Sequence, residues 1–412
     1  MASVSCQPVG NNILSASRSP NVRRFTRLRL RSTLPAAAKS EARLNRGQAR
    51  NAVQLFEPIV QDAQQHPHFR SLLLQRNPYK LDVLQDWARG FVDRDGKFVR
   101  EFQTTFNSSF WEIYVFAVLK KYGLVVDFSK TRPDFFIPRE NFIIEATIAS
   151  NPQDGPPEHI AWSTDLLPQD FNEFNRKSIL RLANSLTAKH RKYLDSYAGL
   201  DHVRNRPFVI AVTSFDQPFG FMACQRPIEA VVLGHYVDEE RYIGNDRPEG
   251  GLDGEDLQRV LKNSGSPVEL GLFRSPAYRE ISAVIFSSTA TLGKVQALSA
   301  DPSDASFFTA LRLNPHSDQP HVIRQPKSQY QESLVDGLRV YHNPFAAHPL
   351  DPAIFRHPSV FQIYHDAQDE IHVEQREGLL LFRSVWTQVP RGTLSSVPSH
   401  TSDDNSHQKE AI

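Results

Sequence analysis

Phe142-Ile143-Ile144-Glu145-Ala146-Thr147-Ile148-Ala149 is an apolar run with one carboxylate near its middle. Its β-branched and aromatic content fits a strand. Side chains alternate across a strand, so Ile143, Glu145 and Thr147 share one face and Phe142, Ile144 and Ala146 the other. Neither face reads as solvent-facing. Glu145 is then either an edge-strand charge turned to water or a group held by a cation, because burying a lone carboxylate is costly.

Upstream, Phe135-Phe136-Ile137 and a break at Pro138–Asn141 make a hairpin or bent strand pair with 142–148. Asp134 follows Pro133 and opens that strand, a pairing also common in plain turns. Before it, Phe110–Tyr122 reads as an apolar helix ended by Gly123, a typical residue just past a helix end. Glu112 is the one carboxylate in its run Phe110–Leu119. A helix apolar nearly all round is buried, so Glu112 is paired, binds a metal or occupies a residual exposed strip. Leu124–Phe128 reads as a strand. Downstream, residues 172–197 form a long helix with Ile179, Leu182, Ala183, Leu186, Tyr193 and Leu194 on one stripe. Phe208–Val212 and Ile281–Phe286 have the pattern of strands buried on both faces. The order of elements predicts a mixed α/β unit around one central sheet.

A helix glutamate, a strand, Pro-Asp and then Glu-x-Thr resemble the PD-(D/E)xK superfamily of restriction-endonuclease-like nucleases, over about residues 101–215. The resemblance implies a mixed central sheet flanked by helices, here with a long insertion. It implies Asp134 and Glu145 as the main ligands of Mg²⁺ or Mn²⁺, with Glu112 joining directly or through water. Hard oxygen donors suit such a cation. The implied activity is hydrolysis of nucleic-acid phosphodiester bonds, in DNA rather than RNA. The family lysine belongs two residues after the glutamate, where this chain has Thr147. A hydroxyl supplies no positive charge. Either the chain is a catalytically degenerate protein that binds nucleic acid or a protein partner, or the lysine comes from elsewhere. Lys189, at the edge of the apolar stripe of the 172–197 helix, is the candidate replacement, since its stem packs while its amine reaches out. The alternative is that Lys189 only snorkels to water. Lys177 points to the opposite side. His190, at the centre of the stripe, reads as a core histidine.

The 412 residues carry a net charge of +1. Residues 1–50 hold nine Arg and Lys39 against Glu41, or +9, so the remainder is at −8. A nucleic-acid partner therefore needs a local basic patch. The helix residues Arg176, Lys177, Arg181, Lys189, Arg191 and Lys192 offer one, or merely a solvated face. Residues 1–50 read as a basic arm, an organelle transit peptide or an unstructured extension. Residues 51–100 read as a helical extension, with one helix around Val53, Leu55, Phe56, Ile59 and Val60 and another around Leu81–Phe91. The nuclease-like domain is expected over 101–390, with an insertion at about 234–280, loops at 314–360 and a disordered tail at 391–412. His316, His321, His342, His348 and His357 read as loop residues without metal-ligand spacing. Cys6 and Cys224 make no disulfide framework, and no apolar run is long enough to span a bilayer. A cytoplasmic protein without membrane contact is the expectation, or an organellar one if residues 1–50 are a transit peptide.

Overall fold

The computed structural model describes residues 53–74, 77–152, 155–159, 167–238, 254–317, 319–366 and 368–387. The basic segment 1–50 and the tail 391–412 lie outside them. The helices are α1 (Pro67–Leu74), α2 (Pro78–Trp87), α3 (Phe98–Thr104), α4 (Asn107–Lys121), α5 (Phe171–Lys192), α6 (Arg226–Leu233) and α7 (Leu292–Leu298). The main sheet has seven strands, adjacent in chain order: β1 (Phe135–Ile137), β2 (Phe142–Ser150), β3 (Phe208–Phe215), β4 (Ile281–Phe286), β5 (Leu338–His342), β6 (Val360–His365) and β7 (Ile371–Glu374). It is mixed. β2–β3, β3–β4 and β5–β6 run parallel, and β1–β2, β4–β5 and β6–β7 run antiparallel. The mixed α/β architecture expected from the sequence is therefore present.

Strand alternation sorts the core into two layers. Ile144, Val209, Ala211 and Ile285 face α4, while Ile143, Ile210, Val212 and Val284 face α5 and α6. Every residue of Phe110–Leu119 except Glu112 is buried, and Trp111 Nε1 donates to Ala211 O at 2.9 Å. Gly123 takes φ +70° just after α4, as its position predicts. The side chain of Asp170 caps α5 by accepting from Glu173 N at 2.7 Å, and a π-helical turn, Tyr193–Tyr197, extends it.

Several sequence expectations fail for identifiable reasons. No helix covers Val53–Val60. Pro58 lacks the amide such a helix needs, and Ile59 is exposed. The second helix stops at Trp87, and Phe91 packs from beyond it, after Gly90 at φ +87°. Leu124–Phe128 is not a strand. It runs beside β1 with a backbone bond from Asp127 N to Phe136 O at 2.8 Å. The stretch 314–360 is not only loops, because it contains β5, all of whose residues are buried. Its polar members hid it, and they are satisfied inside: Arg339 pairs with Glu229 at 3.5 Å and His342 with Gln362 at 3.1 Å. His342 is thus a strand residue rather than a loop one, and His321 lies on the strand His321–Pro326.

That strand joins Ser306–Arg312 and Leu380–Thr387 in a separate three-stranded sheet. The described part of the expected insertion holds two small two-stranded ribbons, His235–Tyr236 with Glu255–Asp256 and Arg259–Leu261 with Pro267–Glu269. Cys224 is buried, and Cys6 lies outside the described residues. Among the described residues no helix is long and apolar enough to cross a membrane.

Candidate active site

Glu145 lies on β2 on the face toward α5, as the alternation predicts, and is 1% exposed. Both its oxygens are engaged. Lys189 Nζ donates to Oε1 at 2.7 Å, Lys192 Nζ to the same oxygen at 3.0 Å and Tyr197 OH to Oε2 at 3.1 Å. The edge lysine of the helical stripe does not snorkel to water; it turns inward. The geometry beside it explains how. Thr147, two residues past Glu145, touches Ser185 at 3.2 Å between hydroxyl oxygens. Two small side chains bring α5 close to β2, and Lys189, one turn after Ser185, then reaches the carboxylate.

Asp134 sits just before β1, opposite Glu145, because the β1–β2 register pairs Phe135 with Ile144. β1 starts one residue later, so the Ala146 amide has no strand partner there. Asp134 Oδ2 accepts it at 2.7 Å. Arg94 reaches over from the turn Asp93–Gly96. It donates to Lys130 O at 2.7 Å and stands 4.0 Å from Asp134. Glu112 comes from α4, on the other face of the sheet, and makes no ion pair among the described residues.

The three carboxylates feel one another. Burial and the Glu145 charge push Asp134 up to about 6, against the Ala146 amide, Lys189 and Arg94. Burial, then Asp134, hold Glu112 well above the ordinary carboxylate range, with Arg94 opposing. Burial and the Glu145 charge also raise the Tyr197 hydroxyl. The structure thus places Glu112, Asp134, Glu145 and Lys189 in one electrostatic neighbourhood. It does not place the three carboxylates in chelating contact. Among the described residues, two other groups have ligand atoms all within 4.8 Å of one another: His66, Glu158 and His159, and Asp366, Glu370 and His372.

Sequence reasoning missed Lys192, Tyr197 and Arg94 at this site. Lys192 had a signal, lying three residues after Lys189 on the same helical face. Tyr197 closes a π-turn no pattern announces, and nothing in the sequence around Arg94 points to this site. His190 is the core histidine expected, 2.9 Å from Glu280 and packed on Tyr278. Much of the basic face of α5 serves the protein itself. Arg176 pairs with Glu173, Lys177 stands 3.8 Å from Glu173, and Arg181 donates to Ser150 O at 2.7 Å.

The histidine group was missed entirely. Burial, then His68, push His66 down to about 4. Burial would raise Glu158, yet bonds from His68 and Asn107 hold it at about 2. Beside this group a cavity of about 270 Å³ opens past the ends of β2 and β3, lined by Phe106, Phe215, Phe219, Phe221 and Arg383 among others.

No protein-family model, curated protein or solved structure matches the chain.

Proposed function

We propose that the chain is a metal-dependent nuclease of the PD-(D/E)xK type, with a restriction-endonuclease-like core, acting on DNA. The observation that carries this reading is the ammonium of Lys189, 2.7 Å from Glu145. It puts a cation beside the glutamate of a motif whose own lysine position holds Thr147. A hairpin, a parallel strand and the helix between them surround it, which is the order of elements the resemblance implies.

The residues present fit Mg²⁺ or Mn²⁺ in chemistry. The donors are carboxylate oxygens, which such ions prefer. Asp134 and Glu112 are both raised by burial and mutual repulsion, a charge excess that a dication relieves. Asp134 and Glu145 would hold it, with Glu112 direct or through water. A bound ion of this kind polarises the scissile phosphate and lowers the pKa of an attacking water. The chain's own groups do the rest. Lys189 Nζ, beside Glu145, would be placed to orient the water and to offset the charge that develops on the phosphate. Lys192 is a second counter-charge to Glu145. Tyr197 fixes the second carboxylate oxygen, and Arg94 steadies the Asp134 turn.

Plasmid cleavage in Mn²⁺ tests the reading, with Glu145→Ala as control. Wild type is expected to nick or linearise the plasmid and the variant to lose the activity. Equal cleavage by both proteins, or none by either, counts against it.

A second reading is a degenerate, non-catalytic nuclease fold that binds nucleic acid or a protein. The observation favouring it is that two lysines and a tyrosine already engage both oxygens of Glu145. Calorimetry separates the two: DNA binding without Mn²⁺ binding supports the second.

A further inference from the structure

We propose that His66, Glu158 and His159, whose ligand atoms all lie within 4.8 Å of one another, form a site for a zinc-class transition-metal dication, with His68 beside them, independent of the Asp134–Glu145 site. The imidazoles stand farther from the carboxylate than a closed charge-assisted bond, His66 and His159 as co-ligands and His68 at the rim. His159 Nδ1 is 3.3 Å from Glu158 Oε2, His68 Nε2 is 3.4 Å from Oε1 and His66 Nε2 is 3.8 Å from Oε1. A charge-assisted imidazole–carboxylate bond closes to about 2.7–2.9 Å. Two donors bound tetrahedrally to one zinc ion at about 2.0–2.1 Å stand about 3.3–3.4 Å apart.

The surroundings hold these donors in place. Asn107 Nδ2 donates to Glu158 Oε1 at 2.6 Å. Phe106 stacks on the His66 ring at 5.8 Å between centroids and 16° between planes. His66 N donates to Gln103 O at 2.8 Å, fixing the backbone before α1. Supporting groups of this kind orient metal ligands.

The donor set decides the class of ion. Imidazole nitrogen with one carboxylate suits Zn²⁺ and its transition-metal neighbours, not Mg²⁺. One local contact must yield. His66 Nδ1 accepts the His68 amide at 3.2 Å, which leaves the ring proton on Nε2. Binding at Nε2 moves that proton to Nδ1, and this long bond is given up. In return the ion ties the start of α1 to the chain beyond β2, beside the first residue of α4.

The full chain, stripped with a chelator and dialysed, is titrated with Zn²⁺ and, separately, with Co²⁺. Wild type is expected to take up one tight equivalent of Zn²⁺, to rise in Tm, and to give the visible absorption of four-coordinate Co²⁺. Glu158→Gln and His159→Ala should each weaken Zn²⁺ by more than about tenfold, as lesser losses around metal ligands do, and should lose the Co²⁺ band. Glu145→Ala should keep both. His159 is partly exposed, so its variant is expected to fold, and the unfolding transition of the stripped proteins checks this. Zn²⁺ affinity in wild type no greater than in His159→Ala, or a Co²⁺ band lost in Glu145→Ala, overturns the proposal.

Discussion

Lys189 and Glu145 meet because small residues stand beside them. Thr147 and Ser185 let the helix close on the strand, and the long lysine stem spans what remains. The helical stripe and the strand alternation made this partly legible, since each placed its residue on the correct face. Glu112 and Glu145 stood out because a charge in an apolar run demands a reason, whereas Asp134, at a Pro-Asp turn, stood out only through the resemblance. The histidine group was not, because its members come from distant parts of the chain and no spacing links them. The same physics predicts how Asp134 behaves when no cation is added. Its folded pKa is raised to about 6. A raised acid contributes stability below its unfolded pKa, and that contribution is lost as pH rises through the folded value. Asp134→Asn should therefore leave Tm nearly unchanged at pH 4. At pH 8, in chelator, it should stabilise by about 1–2 kcal/mol, the carboxyl being only partly screened by solvent. A variant less stable than wild type at pH 8 contradicts the assigned burial and repulsion.

Among elements, α5 carries Lys189 and Lys192 to Glu145, and its ends are the places to perturb that arrangement gently. Asp170 caps its N-terminus, far along the helix from Lys189. Asp170→Ala should cost about 1 kcal/mol by thermal unfolding. It should leave any cleavage rate within about twofold at temperatures where the variant is folded, because Lys189 sits at the other end. A large loss of activity with no loss of stability would argue that the cap touches substrate. Elements were legible where one pattern ran unbroken, as in α4, β2, β3 and β4. They were not legible where polar residues interrupt a buried strand, as Arg339 and His342 do in β5. Val53–Val60 had the helical spacing but also Pro58, and Leu124–Phe128 had strand composition without a full ladder.

For the whole molecule, a buried ionic network joins parts that no sequence pattern would connect. Lys294 of α7 and Arg383 of the second sheet both hold Glu332, and all three side chains are essentially inaccessible. Removing one charge leaves the others uncompensated, so Lys294→Met should destabilise by about 3–5 kcal/mol. The unfolding midpoint in urea measures this, and a change under about 1 kcal/mol would show that the network holds little together. The central claim concerns what the carboxylates do with Lys189. The direct measurement is Mn²⁺-dependent plasmid cleavage by wild type, Lys189→Met and the double variant Lys189→Met/Thr147→Lys. Wild type should cleave, Lys189→Met should be slower by roughly a hundredfold, and lysine returned at position 147 should restore part of the rate. Lys189→Met cleaving as fast as wild type, or no cleavage by wild type, would contradict the account.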